Sequence, residues 1–168
     1  MKNAYIYNTR LGKILIADDG ESITVVSVLP ENFEEDVDLA STFGRDYSYN
    51  KTDLIEEAAK QLKEYLEGCR KIFTVKIKPQ GTEFQKRVWE VLLTIPYGET
   101  RSYKQIAMQS GNGKASRAVG MANHNNPILC IIPCHRVIGA NGTLVGYTAG
   151  LSTKEKLLIM EKGSKVYE

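Results

Sequence analysis

The sequence predicts an α+β protein: an antiparallel sheet with one long helix in the N-terminal half, then a helical C-terminal half containing a helix-turn-helix. Three observations predict it. Apolar and polar residues alternate over the first thirty positions, as strands require, whereas from Gly81 onward apolar residues recur at helical spacing. Thr52 or Asp53, Thr82 and Ser102 each precede a helical stretch, where a side-chain oxygen can accept from an early backbone amide. Lys78-Pro79-Gln80-Gly81 separates the two patterns and marks an N-terminal domain 1–78 and a C-terminal domain 79–168.

The elements follow in order. Ala4 and Ile6, then Ile14 and Ile16, then Ile23 to Leu29 read as strands of a meander, with Gly12 and Asp18-Asp19-Gly20-Glu21 as turns. Pro30 to Asn50, acidic and then aromatic-polar, reads as a loop or short helix. Thr52 to Leu66 places Leu54, Ile55, Ala58, Ala59, Leu62 and Leu66 on one helical face and stops at Gly68. Ile72 to Ile77 alternates as a further strand. Thr82 then caps a helix carrying Phe84, Val88, Trp89, Val91, Leu92 and Ile95, which Pro96-Tyr97-Gly98 breaks. Ser102 caps a short helix Tyr103 to Gln109, Gly111-Asn112-Gly113 turns, and Lys114 to Asn123 forms a second short helix. Ile128 to Ile132 is wholly apolar, Gly139 to Gly150 is a glycine-rich loop, and Ser152 to Glu161 is a final helix.

Composition bounds the function. With 168 residues, 42% hydrophobic and 25% charged, the chain holds one domain or two small ones and is neither disordered, collagenous nor coiled-coil. No run approaches the roughly 18 to 20 apolar residues that span a bilayer, and Met1 to Arg10 lacks the order of a secretory signal. A cytoplasmic protein with no membrane partner is expected. The 22 basic and 20 acidic residues leave a net charge of +2, which by itself does not mark a nucleic-acid binder. Distribution says more. Arg101, Lys104, Lys114, Arg117 and Arg136 cluster around the helix-turn-helix, which fits either a DNA-binding face or an ordinary solvated basic one.

Cys69, Cys130 and Cys134 are odd in number and lack paired zinc spacing, so a disulfide scaffold is not expected. Cys130 reads as core and Cys69 as an incidental surface thiol. Pro133-Cys134-His135-Arg136 is sharper, because a thiolate is the nucleophile and neighbouring cationic groups lower a cysteine pKa. Local context leaves a reactive and an inert Cys134 equally open. A zinc site from Cys130, Cys134, His135 and His124 is disfavoured, since adjacent residues seldom ligate one ion together. Gly111 to Ser116 fails as a phosphate loop, because Met108 and Ala115 occupy positions that need glycine and Ser or Thr. A reactive thiol beside a DNA-binding surface suggests chemistry on a base.

The C-terminal half resembles the O6-alkylguanine-DNA alkyltransferases, also called methylated-DNA–protein-cysteine methyltransferases, in three ordered blocks covering roughly residues 79 to 162. The first is Gly81 to Gln85 with Val88-Trp89 and Ile95 to Tyr103; the second is Arg117-Ala118-Val119-Gly120 with Asn126-Pro127. The third is Ile132-Pro133-Cys134-His135-Arg136-Val137-Ile138, continuing to Gly146-Tyr147, Leu157-Leu158 and Glu161. Over the N-terminal half only the order of strands and helix is similar to the family.

This resemblance implies an N-terminal ribonuclease H-like sheet, a C-terminal helical domain with a winged helix-turn-helix-like DNA-binding motif, and direct repair of alkylated DNA. The implied partner is double-stranded DNA containing O6-alkylguanine, with O4-alkylthymine a second substrate, bound in the minor groove with the damaged base flipped out. Cys134 would accept the alkyl group, His135 would act as base through a water, Glu161 would orient His135, and Asn126 would hold the turn. Tyr103 would donate to guanine N3, and Arg117 would fill the gap in the stack. Ser102, Ala118, Gly120, Lys114 and Arg136 would complete the DNA-binding set. Val137, Val145, Gly146, Tyr147 and Thr148 would line the base pocket, with Ala149 limiting bulky adducts where many members have glycine. The thioether product has no ready leaving route, so each monomer would react once, with no cofactor and no metal. A damage sensor would lack the acceptor cysteine. A cysteine hydrolase would draw its histidine from elsewhere in the sequence, a thiol-redox protein would need C-x-x-C, and a plain regulator would leave Pro133 to Arg136 without a purpose.

Overall fold

A computed structural model of the chain describes residues 2–147 and 149–163. It consists of two units that part between Pro79 and Gln80.

In the first unit, β1 (Lys2–Thr9), β2 (Gly12–Asp18) and β3 (Ile23–Val28) form the expected antiparallel meander. The two-residue turn between β1 and β2 is closed by Thr9, whose hydroxyl donates to the Gly12 carbonyl and accepts from the Leu11 amide. Period-2 alternation gives the sheet two apolar faces. Leu15 and Ala17 join Ala4, Leu29, Phe33 and Leu39 in one cluster. Ile14 and Ile16 alternate with them and face the opposite way, and α2 (Asp53–Leu66) packs on the sheet with Ile55, Ala58, Leu62 and Tyr65 buried. Of the two cap candidates, Thr52 caps α2, accepting from the Ile55 amide at 3.1 Å, and Asp53 is the first helical residue.

Two assignments in this unit change. Residues 30–50 contain a helix, α1 (Glu35–Phe43), and also a strand, β4 (Tyr47–Tyr49), which pairs in parallel with Lys2–Ala4 and gives the sheet order β3-β2-β1-β4. Three residues carry too little alternation to announce a strand. Ile72 to Ile77, expected as a strand, makes only an isolated bridge from Ile77 to Ile23. Phe73, Val75 and Ile77 are half-buried in alternation, yet the segment lies along α2, where Thr74 exchanges two hydrogen bonds with Gln61. The alternation is real and the ladder is missing, because this extended chain meets a strand edge only at its end.

In the second unit, α3 (Glu83–Leu92) begins in a reciprocal cap between Thr82 and Gln85. Gly81 is required there, since a Cβ would lie 2.5 Å from the Trp89 ring. Trp89 is buried and donates to the Ala122 carbonyl at 2.9 Å, which ties α3 to α5 (Ser116–His124). Between them, β5 (Arg101–Ser102) leads into α4 (Tyr103–Gln109), capped by Ser102 and Gln105 in the same reciprocal way. Gly111, at φ +99°, provides the turn from α4 to α5. The second helix starts at Ser116 rather than Lys114, because the Asn112 side chain takes the Lys114 amide into the turn. The two-residue strand β6 (Val137–Ile138) pairs in parallel with β5, and α6 (Leu151–Glu161) closes the described chain. The apolar run at 128–132 is a buried succession of turns, with Cys130 in the left-handed region at φ 67°.

Candidate active site

Cys134 opens a short 3-10 turn, Cys134–Arg136, immediately after Pro133. Asn126 builds the approach to it. Its Nδ2 donates to the Ile132 carbonyl at 2.8 Å and to Cys134 Sγ at 3.1 Å, while its Oδ1 accepts from the Ile128 amide at 3.0 Å. One amide thus holds both ends of the buried loop and aims the sulfur.

The same turn points His135 and Arg136 inward to Glu161, the last residue of α6. His135 Nε2 lies 2.6 Å from one Glu161 oxygen. Arg136 donates to both Glu161 oxygens, at 2.7 and 3.1 Å, and to the Ile95 carbonyl at 2.7 Å; the Gly98 amide also donates to Glu161, at 3.2 Å. All three side chains are buried. A buried carboxylate requires such pairing. Burial holds His135 below its ordinary range despite the opposing pull of Glu161, so the imidazole is neutral near pH 7. With Glu161 as acceptor, the proton sits on Nε2 and the basic lone pair on Nδ1.

Two expectations change here. Arg136, placed by sequence among the DNA-contacting residues, is buried and committed to Glu161 and Ile95. With the guanidinium turned away from sulfur, the local sequence does not make a resting thiolate. Burial pushes Cys134 up to about 11, offset in part by the Asn126 hydrogen bond and the charge of Lys154. The resting group is a thiol whose proton must be removed as it reacts.

Lys154 was not singled out by the sequence. It is fully buried on α6, and its Nζ donates to the Val145 carbonyl at 2.9 Å and approaches that of Gly146 at 3.4 Å. Desolvation lowers its pKa while Cys134 raises it. Among the described residues no carboxylate pairs with it, so a thiolate at Cys134 is the negative charge placed to do so. The signal was present: Lys154, Leu157, Leu158 and Glu161 form one i, i+3, i+4, i+7 stripe.

Above the sulfur lies a cavity of about 390 Å3. Tyr103, Arg117, Gly120, Val145, Gly146 and Tyr147, all expected at a DNA or base site, line it with Cys134. Ser116, Asn123 and His124 line it too and were missed by sequence reasoning. The Tyr103 hydroxyl donates to the Val145 carbonyl at 2.9 Å, and Tyr147 stands edge-on to His135. Val137 is buried in β6 and is not among the cavity's lining residues. Thr148 lies outside the described residues. On α5, Arg117 and Ala118 are exposed, and a Cβ added to Gly120 would meet nothing within 4 Å. Lys114 is exposed in the preceding turn, and Ser102 serves as the α4 cap. A larger cavity, about 530 Å3, lies between β1 and α2 in the first unit, but neither cysteine nor histidine lines it. Volume alone does not locate chemistry.

The site therefore offers a sulfur nucleophile, a neutral base with a fixed tautomer, a buried cation for the developing thiolate, and a cavity that opens beside an exposed basic helix. Among the described residues no helix is long and apolar enough to cross a membrane. Residues 4–79 match the ribonuclease-like domain of 6-O-methylguanine DNA methyltransferase, and residues 83–163 match the DNA binding domain of the same family. A methylated-DNA–protein-cysteine methyltransferase of Methanosarcina acetivorans is 48% identical over 156 residues, covering 93% of this chain and 96% of that protein. The crystal structure of the Mycobacterium tuberculosis O6-methylguanine methyltransferase superposes with a TM-score of 0.83 at 40% identity, covering 100% of this chain and 97% of that one. A structure of the M. tuberculosis protein in complex with DNA also gives 0.83 at 40% identity, covering 96% of this chain and 93% of that one.

Proposed function

The chain belongs to the 6-O-methylguanine DNA methyltransferase family, and from that premise we propose that it repairs double-stranded DNA by moving the alkyl group of O6-alkylguanine onto its own Cys134. The observation that carries this reading is the placement of Cys134 at the cavity, held by Asn126 and followed by the His135–Glu161 pair.

The reaction follows from the geometry. His135 Nδ1, through a bridging water, takes the thiol proton while Glu161, itself held by Arg136, holds the ring and balances the imidazolium. The sulfur attacks the alkyl carbon in line, a C–S bond forms, and the C–O6 bond breaks with its electron pair going to guanine. The Tyr103 hydroxyl supplies a hydrogen bond at N3 to the departing base. Lys154 opposes the charge on sulfur as the proton leaves. No cofactor enters, because the protein is the acceptor, and the thioether makes the transfer a single irreversible event.

The target base is flipped into the cavity. Arg117 occupies the gap it leaves, and the bare surface at Gly120 admits the minor groove. O4-alkylthymine is the secondary substrate. Residues 79–168 carry binding and transfer, and residues 1–78 form a separate supporting domain. The protein acts as a monomer in the cytoplasm.

Intact-protein mass spectrometry after mixing with a duplex containing O6-methylguanine tests the reading. The expected result is a gain of one methylene, mapped to Cys134 and absent in Cys134→Ser. Binding without mass gain would make the chain a recognition module and remove the roles of His135 and Glu161.

A further inference from the structure

We propose that Asn123 reads the exocyclic amine of the flipped guanine, accepting a hydrogen bond from it through Oδ1 beside the Tyr103 hydroxyl. The inference rests on the base-pocket reading of the cavity. Asn123 belongs to α5, lines that cavity, and is only 7% exposed. Its Oδ1 is shut away from solvent and has no hydrogen-bond partner among the described residues. A buried acceptor left unmade is costly, so such an oxygen at a binding cavity points to a donor that the ligand brings.

The orientation of the amide follows from its neighbour. The Tyr103 hydroxyl has one proton, which it gives to the Val145 carbonyl, a pure acceptor. The Asn123 side chain lies beside that hydroxyl and lines the same cavity. With its proton on Val145 the hydroxyl can only accept, so the amide turns Nδ2 toward it. Its Oδ1 is therefore the atom left over.

The pair then presents a hydroxyl donor and a carbonyl acceptor side by side. The minor-groove edge of guanine offers the complementary pair, the N3 acceptor next to the N2 amine donor. Alkylation at O6 removes the proton from N1, so the N2 amine is the only donor that O6-alkylguanine retains on its ring edges. When Tyr103 turns from Val145 to N3, Asn123 comes into line with the amine. O4-alkylthymine presents O2 on that edge and no amine, and leaves Oδ1 unsatisfied. The pocket thus favours the guanine adduct by a donor far from the alkyl group.

The test compares single-turnover methyl transfer to Cys134 from two duplexes, one carrying O6-methylguanine and one carrying O6-methylhypoxanthine, which lacks only the N2 amine. The wild type is expected to favour the amine-bearing base by roughly tenfold. Asn123→Leu, close in shape, should bring the ratio near one, chiefly by slowing transfer from guanine. Asn123→Ser provides the same ratio where circular dichroism shows the leucine variant unfolded. A wild-type ratio kept in the variants overturns the inference alone. Failure of the wild type to become methylated by either duplex overturns the base-pocket reading and this inference with it.

Discussion

Each unit of the molecule buries a carboxylate, and the two are compensated in different ways. Among the described residues, Asp18 in the first unit accepts only from neutral donors: the Asn3 amide, the Thr52 hydroxyl and the Gly20 backbone amide. Asn50 continues this network to Asn3 and so ties β4, α2 and the meander together. Glu161 in the second unit is held by a guanidinium and an imidazole, next to a thiol. The first arrangement has nowhere to send a proton and fixes a fold. The second contains a titratable partner whose charge can change while Arg136 keeps the carboxylate in place. Burial of a carboxylate is thus no sign of chemistry; the kind of partner is.

The largest difference between the two clusters lies at the sulfur. Cys134→Ser should abolish alkyl transfer completely while leaving affinity for an alkylated duplex measurable by fluorescence anisotropy. Next comes Glu161→Gln, which leaves Arg136 buried against a neutral group. Transfer should slow by about 10² to 10⁴, and urea unfolding should show a loss of about 3 to 5 kcal/mol.

Lys154→Met separates electrostatics from packing. Its charge lowers the Cys134 pKa, so removing it raises that pKa and reduces the thiolate fraction at any pH below it. The pH profile of Cys134 alkylation by iodoacetamide should move to higher pH, with a fall of roughly tenfold in rate at pH 8. Lys154→Arg should restore most of the rate, and an unmoved profile in Lys154→Met would make the lysine a tether for the Val145–Gly146 loop alone.

Asp18→Asn probes the other carboxylate. It turns an acceptor into a donor amid existing donors and should cost about 1 to 3 kcal/mol in urea unfolding. Transfer per folded molecule should not change, and a slower rate there would erase the distinction between the two clusters. The smallest effect is expected from Gly120→Ala. Alanine should stabilise α5 by up to about 1 kcal/mol, since the added Cβ meets nothing, while weakening duplex binding. A variant that melts higher and binds DNA less well would show that this glycine serves the ligand rather than the fold.

Local rules read well where a few neighbouring residues decide the outcome. Thr52, Thr82 and Ser102 cap helices because hydroxyl and amide lie three residues apart, and α2, α3 and α4 followed from their spacing. The meander followed from alternation, and Cys134, His135, Asn126 and Glu161 were legible through the resemblance of their blocks. Long-range contact decided the rest. β4 exists because Lys2–Ala4 offers it an edge, and residues 72–77 stay unpaired along most of their length because, among the described residues, Ile23 is the one strand position they meet. Arg136 is a basic residue in a basic region by sequence; a carboxylate 25 positions later makes it part of the buried machinery. Lys154 and Asn123 look like ordinary polar helix residues until folding encloses them beside Cys134 and Tyr103. Local sequence was enough to place α2, α3 and α4 and to single out the cysteine of the reactive block. Which polar groups lose water, and with whom, was settled by folding, because desolvation depends on the whole enclosure and not on neighbours along the chain.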